Sequence, residues 1–332
     1  MTGRVHVIAE AGTNHNGDLN TARRLVDAAA GARADSVKFQ LIYPEGLYLP
    51  RFYRDGHYED NEVFAQRSAA MLTDDDYREL AEYCRSKSTP FTATVFDTRG
   101  IELVDELDVP YIKTASCDLN NSRLLVAAAE TGRRMVISTG MAGLDEIERA
   151  VSDVTATGNT DLVLMHCVSV YPCPAERMNL GFVAVLRESF GFPVGLSDHT
   201  EGSVTSAAAI GLGAEWIEKH FTLDRSSPGF DHAYAMEPEA LAGFVADVRQ
   251  TSSACEIQEV KVLEDEQGVR TRARRSIYAA RDIEEGEEIR EDDLLVVRPE
   301  GPLSPNDLPL VVGRTAKRRI FQYEPLSLEA TC

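Results

Sequence analysis

Eight short apolar runs rich in β-formers alternate with segments of helical period over residues 5–221, and that alternation leaves few folds open to the chain. The runs are VHVIAE (5–10), SVKFQL (36–41), FTATVF (91–96), PYIKTA (110–115), RMVIST (134–139), LVLMHC (162–167), FPVGLS (192–197) and AEWIEKHF (214–221). Between them stand stretches such as TARRLVDAAAGA (21–32), DYRELAEYCRS (76–86) and DEIERAVSDV (145–154), apolar at helical spacing. Eight strand–helix repeats over about 245 residues is the count of a (β/α)8 barrel. An open doubly wound sheet uses the same alternation and is the competing arrangement.

The connection after the second run is long. Residues 42–75, with YPEGLYLPRFYRDGHYEDNEVF, are rich in Tyr, Asp, Glu and Arg. Such a loop after a barrel strand reads as a lid or substrate wall. The barrel takes in residues 1–256. Residues 257–272 are charged without an apolar period and read as a linker. Residues 273–332, with SIYAARDIEEGEEI, DDLLVVRP, LPLVVGRTAKRRI and turn glycines Gly286 and Gly313, read as a small β-rich domain.

Composition excludes some classes of function. No apolar run approaches the roughly 20 residues of a membrane helix. The opening MTGRVHVIAEAG runs straight into a strand, unlike a secretory signal. Cys84, Cys117, Cys167, Cys173, Cys255 and Cys332 show no C-x-x-C and no disulfide-like spacing, so reduced thiols in the cytoplasm are expected. A formal net charge of −20 argues against nucleic acid as a partner. It serves solubility, and any anionic substrate must find its cations locally, in a pocket.

In a barrel, chemistry collects at the C-terminal ends of the strands. Those ends carry Glu10, Lys38 with Gln40, Thr94, Lys113 with Ser116, Ser138, Ser169 with Tyr171, Ser197 with His199, and His220. A polar residue at every mouth is not a packing pattern. Lys38 and Lys113 sit inside apolar runs, where a lysine must find an anion or shift its pKa. A Schiff-base amine and an ion pair with a core carboxylate are two readings of them. With the hydroxyls of Thr94, Ser116, Ser138 and Ser197, a third is a cradle for a ligand bearing phosphate and carboxylate. His199 and His220 follow neighbouring strands and can converge on a divalent ion, with Glu10 acting directly or through water. Few protein ligands and open positions suit Lewis-acid work, and oxygen from water and substrate suits Mn or Mg better than structural Zn. His15 reads as a turn residue, with substrate contact as the alternative. His166 and Cys167 read as core, and Trp216 as packing.

Together, IAEAGTNHNGD, VKFQ, YIKTAS, ISTGM, HCVSVYP, GLSDHT, EKHFTLDR and PGFDH, followed by RRSIYAARDIEEGE and VVRP, resemble the sialic acid synthase family, which includes N-acetylneuraminate, legionaminate and pseudaminate synthases. The resemblance covers essentially the whole chain. It implies a (β/α)8 TIM barrel followed by a C-terminal antifreeze-like (SAF, β-clip) domain, in a domain-swapped homodimer. It also implies a transferase that condenses phosphoenolpyruvate with an open-chain N-acyl amino hexose, N-acetylmannosamine-like, releasing phosphate by C–O cleavage. On this resemblance His199 and His220 bind Mn, with Mg or Co as substitutes, and Glu10 is the catalytic carboxylate. Lys38, Thr94, Lys113, Ser116, Ser138 and Ser197 hold phosphoenolpyruvate. Gln40, Ser169, Tyr171 and Asp231 line the sugar side, and Arg298 reaches the sugar's N-acyl group across the dimer.

The chain departs from the family pattern in three places. Ser169 stands where N-acetylneuraminate synthases usually have Asn, Phe230 replaces a usual Pro, and VVRPEGPLSP lacks the usual Gly directly after RP. These leave the sugar open. Three alternatives share the motifs in part. One is a synthase acting on a sugar phosphate, of the 3-deoxy-heptulosonate type, kept open by Arg51 and Arg54. Another is a catalytically silent sugar-binding homologue, and the last a Schiff-base aldolase through Lys38 or Lys113.

Overall fold

The structure is a computed structural model that describes residues 4–256, 259 and 261–332. All eight runs form strands: β1 His6–Gly12, β2 Ser36–Leu41, β3 Phe91–Val95, β4 Tyr111–Thr114, β5 Arg134–Ser138, β6 Leu162–Cys167, β7 Val194–Asp198 and β8 Trp216–His220. Each pairs in parallel with its sequence neighbour, and β8 pairs back onto β1 from His6↔Trp216 to Glu10↔His220. That last pairing closes the barrel and removes the open-sheet alternative.

Strand residues alternate between two surroundings, because successive side chains leave a strand on opposite faces. Val7, Ala9, Val37, Phe39, Ile112, Ile137, Leu164, Leu196 and Ile217 belong to the large core shared with the helices. Ile8, Tyr111, Val136, Val163, Met165 and Trp216 form a separate apolar cluster, which fills the barrel interior as packed layers do in this fold. A Cβ at Gly195 would collide with Met165 Sδ and the Trp216 carbonyl, so the interior admits only glycine there. Helix α1 (Leu19–Gly31) is capped by Asp18, which accepts from Asn20 N, and buries Ala22, Leu25, Val26 and Ala29. That stripe is the helical period expected for 21–32.

Trp216 packs as expected, stacked on His6 at 4.0 Å between ring centroids. His6 Nε2 lies 3.0 Å from Ser36 Oγ, which in turn lies 2.7 Å from the buried Tyr111 hydroxyl. The long insertion holds a short helix (Pro44–Leu47), an antiparallel hairpin (Arg51–Arg54 with His57–Asp60) and a helix (Glu62–Ala69).

The chain divides into two compact units, Met1–Ile257 and Gln258–Cys332. Residues 257, 258 and 260 of the expected linker lie outside the described residues. The rest of that segment is more ordered than a linker, with a 3-10 turn (Glu264–Glu266) and a helix (Gln267–Ala273). This helix buries no residue, so no apolar period betrays it in the sequence. The second unit pairs β9 (Ser276–Ala279) with β10 (Leu294–Val297), antiparallel. Its other expected β segment, LPLVVGRTAKRRI, is instead a 3-10 helix (Pro305–Leu310) followed by isolated bridges. Ile277, Ile283, Ile289, Val311, Ile320 and Leu326 are at the centre of its core. Among the described residues no helix is long and apolar enough to cross a membrane.

Burial depresses the pKa of both His6 and His15 from 6.5 to about 4. Both are therefore neutral in the fold and protonate more readily when unfolded. Their contribution to stability is complete above about pH 6.5 and is lost as the pH falls towards 4. The urea midpoint should fall between pH 7.5 and pH 5, and His6→Gln should flatten that slope. An unchanged slope in the variant would remove His6 from this account.

Candidate active site at the barrel mouth

The inner face of the barrel changes character two residues beyond its apolar filling. Ile8 is succeeded by Glu10, Tyr111 by Lys113, Val136 by Ser138, Met165 by Cys167, and Trp216 by Glu218 and His220. These polar residues line one cavity of about 360 Å³. Lys38, Gln40, Thr94, Ser116, Ser169, Tyr171, Ser197 and His199 line it too. Asp231 approaches from the loop after β8. Its Oδ2 lies 3.0 Å from where a Cβ on Gly12 would stand, with Gln40 Nε2 at 3.6 Å and Glu10 Oε1 at 3.7 Å from the same point. Gly12, at φ +54°, is what lets the three converge. Arg298 belongs to the second unit, where it is exposed at the end of β10.

Two lysines and two carboxylates are buried together here. Lys38 Nζ lies 2.7 Å from Glu10 Oε2 and 3.6 Å from Glu218 Oε2, and donates to Thr94 Oγ1 at 2.7 Å. Lys113 donates to Ser138 Oγ and to the Thr114 carbonyl. Glu218 accepts from Ser197 Oγ at 2.8 Å, and Glu10 accepts from Gln40 Nε2 at 2.9 Å. The ion-pair reading of Lys38 therefore holds in this structure, and the Thr94 and Ser138 hydroxyls accept from the lysines, whereas Ser197 gives its proton to Glu218. Ionic groups this deep stay charged only when paired.

The environment pushes the two carboxylates apart. Burial raises Glu10 to about 7, against the pull of Lys38. Burial also acts on Glu218, but Lys38 and Lys113 outweigh it and hold that carboxyl well below its ordinary range. Burial alone would lower Lys38, yet Glu10 and Glu218 keep its ammonium form favoured; Lys113 is lowered by burial. Of the two, Glu10 is the carboxyl raised towards neutral pH, and Glu218 is the one the lysines keep ionised.

The histidines fit a divalent cation. Their ring centroids lie 5.5 Å apart. His199 Nδ1 is 2.8 Å from the Val168 carbonyl, which orients the ring, and its Nε2 lies 3.4 Å from Ser197 Oγ. His220 Nδ1 is buried with no hydrogen-bond partner among the described residues, an orphan that asks for a ligand. No group of three or more His, Cys, Asp or Glu is arranged for a metal among the described residues. Among these residues, the donors that would meet such an ion are the two imidazoles alone.

Sequence reasoning missed Glu218. Lys219 next to it draws the eye, but the alternation Trp216, Glu218, His220 places Glu218 at the mouth and turns Lys219 out. Cys167 was expected in the core; it follows Met165 inward by the same alternation and lines the cavity. His166 points the other way and bonds the Met178 carbonyl at 2.6 Å. His15 accepts from Gly17 N at 3.0 Å, a turn residue outside the cavity. From the long insertion, Arg67 donates to Thr13 Oγ1 at 2.6 Å and lies 3.7 Å from the Phe230 ring centroid. That clamp ties the insertion to the loops after β1 and β8 as a wall.

Outside the barrel, Asp198 secures the turn that presents His199. It pairs with Lys219 at 3.1 Å and accepts from Thr200 N, Thr205 Oγ1 and Ser206 Oγ. Both side chains are all but fully buried. Removing one partner of such a pair costs about 3–5 kcal/mol. Asp198→Ala should lose about that much in urea unfolding, and a loss under about 1 kcal/mol would refute the account.

Comparison with known proteins agrees with this geometry. A model described as the NeuB family matches residues 25–259, and a SAF domain model matches residues 274–329. The N,N'-diacetyllegionaminic acid synthase of Legionella pneumophila is 36% identical over 316 residues, covering 92% of this chain and 89% of that protein. The human N-acetylneuraminate-9-phosphate synthase is 34% identical, covering 93% of this chain and 87% of its own. The crystal structure of the N-acetylneuraminic acid synthetase of Leptospira borgpetersenii, in complex with citrate, superimposes with a TM-score of 0.73 at 36% identity, over 80% of this chain and 90% of that one. With closed barrel, mouth and both models in agreement, the chain belongs to the NeuB family, a barrel followed by a SAF domain.

Proposed function

We propose that the protein is a phosphoenolpyruvate-dependent transferase that makes a nonulosonic acid, condensing phosphoenolpyruvate with an open-chain N-acyl amino hexose. The observation that carries this is the meeting, in one cavity, of two buried lysines, a set of hydroxyls, a raised carboxyl and a histidine pair in which His220 Nδ1 has no partner among the described residues. Lys38 and Lys113, with Thr94, Ser116, Ser138 and Ser197, hold the phosphate and carboxylate of phosphoenolpyruvate. Gln40, Ser169, Tyr171 and Asp231 orient the sugar. A divalent ion held by His199 and His220, Mn by preference, supplies Lewis-acid polarisation of the sugar's aldehyde.

The C3 of phosphoenolpyruvate attacks the aldehyde carbon, and water adds to the electron-poor C2. The resulting tetrahedral phosphate ester releases inorganic phosphate by C–O cleavage. Glu10 takes the proton of the added water, or passes it to the new alkoxide, as its raised pKa permits. Glu218 stays ionised and keeps Lys38 and Ser197 in place. The lysines and hydroxyls hold the reactants in near-attack geometry.

Phosphate release from phosphoenolpyruvate, with Mn and a panel of 2-acylamino and 2,4-diacylamino hexoses, tests the reading. Release that requires both metal and one sugar supports it, and absence of phosphoenolpyruvate binding refutes it. Glu10→Gln should lower turnover by about 10²–10⁴-fold while calorimetry still records phosphoenolpyruvate binding. Loss of that binding would make Glu10 structural.

Placement of Arg298 on the sugar's N-acyl group, across a homodimer, follows from the family resemblance, and light scattering tests the dimer. The free cysteines support a cytoplasmic setting.

A further inference from the structure

The loop after β8 carries a residue that no motif singled out. Tyr234 ends a one-turn 3-10 helix, His232–Tyr234. That turn is pinned on both sides. His232 Nδ1 lies 2.6 Å from Thr222 Oγ1, and His232 Nε2 lies 3.2 Å from Asn16 Nδ2. Beyond Tyr234, Met236 N donates to the His220 carbonyl at 2.9 Å, and Thr222 N donates to the Met236 carbonyl at 2.8 Å. Tyr234 therefore has a fixed origin.

Its hydroxyl donates to Asp231 Oδ1 at 2.7 Å. The other carboxylate oxygen, Oδ2, is the one at Gly12, beside Gln40 and Glu10. One oxygen is tied down, and the second stands beside Gln40 and Glu10, which line the active-site cavity. The ring has a separate task. Its centroid lies 5.1 Å from that of Tyr171 and 5.3 Å from that of His220, edge-on to the imidazole. Tyr171 and His220 line the active-site cavity, whereas Tyr234 lines a different one of about 460 Å³, with Thr200, Arg225, Met236 and Phe244. The phenol ring is thus part of the partition between two cavities.

We propose that Tyr234 is a positioning residue for the sugar: its hydroxyl fixes Asp231 with one oxygen presented to the acceptor, and its ring forms the wall behind Tyr171 and His220. The assignment rests on the acceptor-side role of Asp231 in the function proposed above. An untied Asp231 would be ordered only when sugar binds, and that cost would weaken binding. With Tyr234 present, the ordering is done during folding. The bond acts on acceptor binding and not on the phosphoenolpyruvate side.

Steady-state kinetics of the full-length enzyme test this, with phosphoenolpyruvate, Mn and whichever sugar of the panel wild type turns over fastest, N-acetylmannosamine being tried first. Tyr234→Phe keeps the ring and removes the bond. It should raise the KM for sugar about tenfold, the scale of one charge-assisted hydrogen bond, with kcat and the KM for phosphoenolpyruvate within about twofold of wild type. Tyr234→Ala should raise the sugar KM further, and the difference between the two variants reports the wall. A cycle with Asp231→Ala, which removes the acceptor, checks the route: if Tyr234 acts through Asp231, Tyr234→Phe adds nothing to that variant. An unchanged sugar KM in Tyr234→Phe, additive effects in the cycle, or an equal rise in both KM values would overturn the assignment. Wild type that turns over no sugar would instead overturn the function on which it rests.

Discussion

The buried pairing of Lys38 with Glu10 and Glu218 is the constraint around which the rest of the mouth is arranged. An ammonium group in a barrel interior is unstable unless carboxylates stand beside it. Those carboxylates come from β1 and β8, the two strands that close the barrel on each other. Glu10 meets Lys38 across the β1–β2 pairing, and closure of β8 onto β1 adds Glu218, so opening this seam would cost Lys38 its second carboxylate. Lys113, from β4, completes a quartet whose formal charges cancel, so the protein can bury four ionised groups within a chain of net charge −20.

This balance also explains how an acidic protein can receive an anion. Its surface field works against a phosphate ester at long range, but the two lysines lie under low-dielectric walls where surface charge counts for little. In the function proposed above, the phosphate of phosphoenolpyruvate would compete with Glu10 for Lys38; Glu10 is the carboxyl that burial raises, and the lysines hold Glu218 low. The histidines complete the arrangement from β8 and the turn after β7, a turn held from outside by Asp198.

Much of this was legible in the linear sequence, for a physical reason. Parallel barrel strands have a period of two, so a run such as VHVIAE or AEWIEKHF states which residues share a face. Every strand and most of the mouth follow from that rule. Where the reading failed, side chains answered to something other than strand period. The helix at 267–273 was invisible because it buries nothing. LPLVVGRTAKRRI has β composition but turns on bridges and a 3-10 helix. Glu218 and Cys167 obey the period and were legible; louder neighbours hid them. Asp231 entered through a motif, and nothing in its spacing shows that Tyr234 ties one of its oxygens.

What the sequence by itself determined is the order of strands, the face each residue takes and the chemical types that gather at the C-terminal ends. These depend on local periodicity, which a chain carries in its own spacing. The tertiary structure alone decided which partner each charged group takes: Lys38 with Glu10 and Glu218, His199 with the Val168 carbonyl, Arg67 with Thr13 and Phe230. Those pairings join residues far apart in the chain, set by barrel closure and loop docking, and no local period encodes them. The raised Glu10 and the lowered Glu218 belong to the same class. Both are glutamates at strand mouths, and only the folded surroundings leave one raised by burial and the other held low by the lysines.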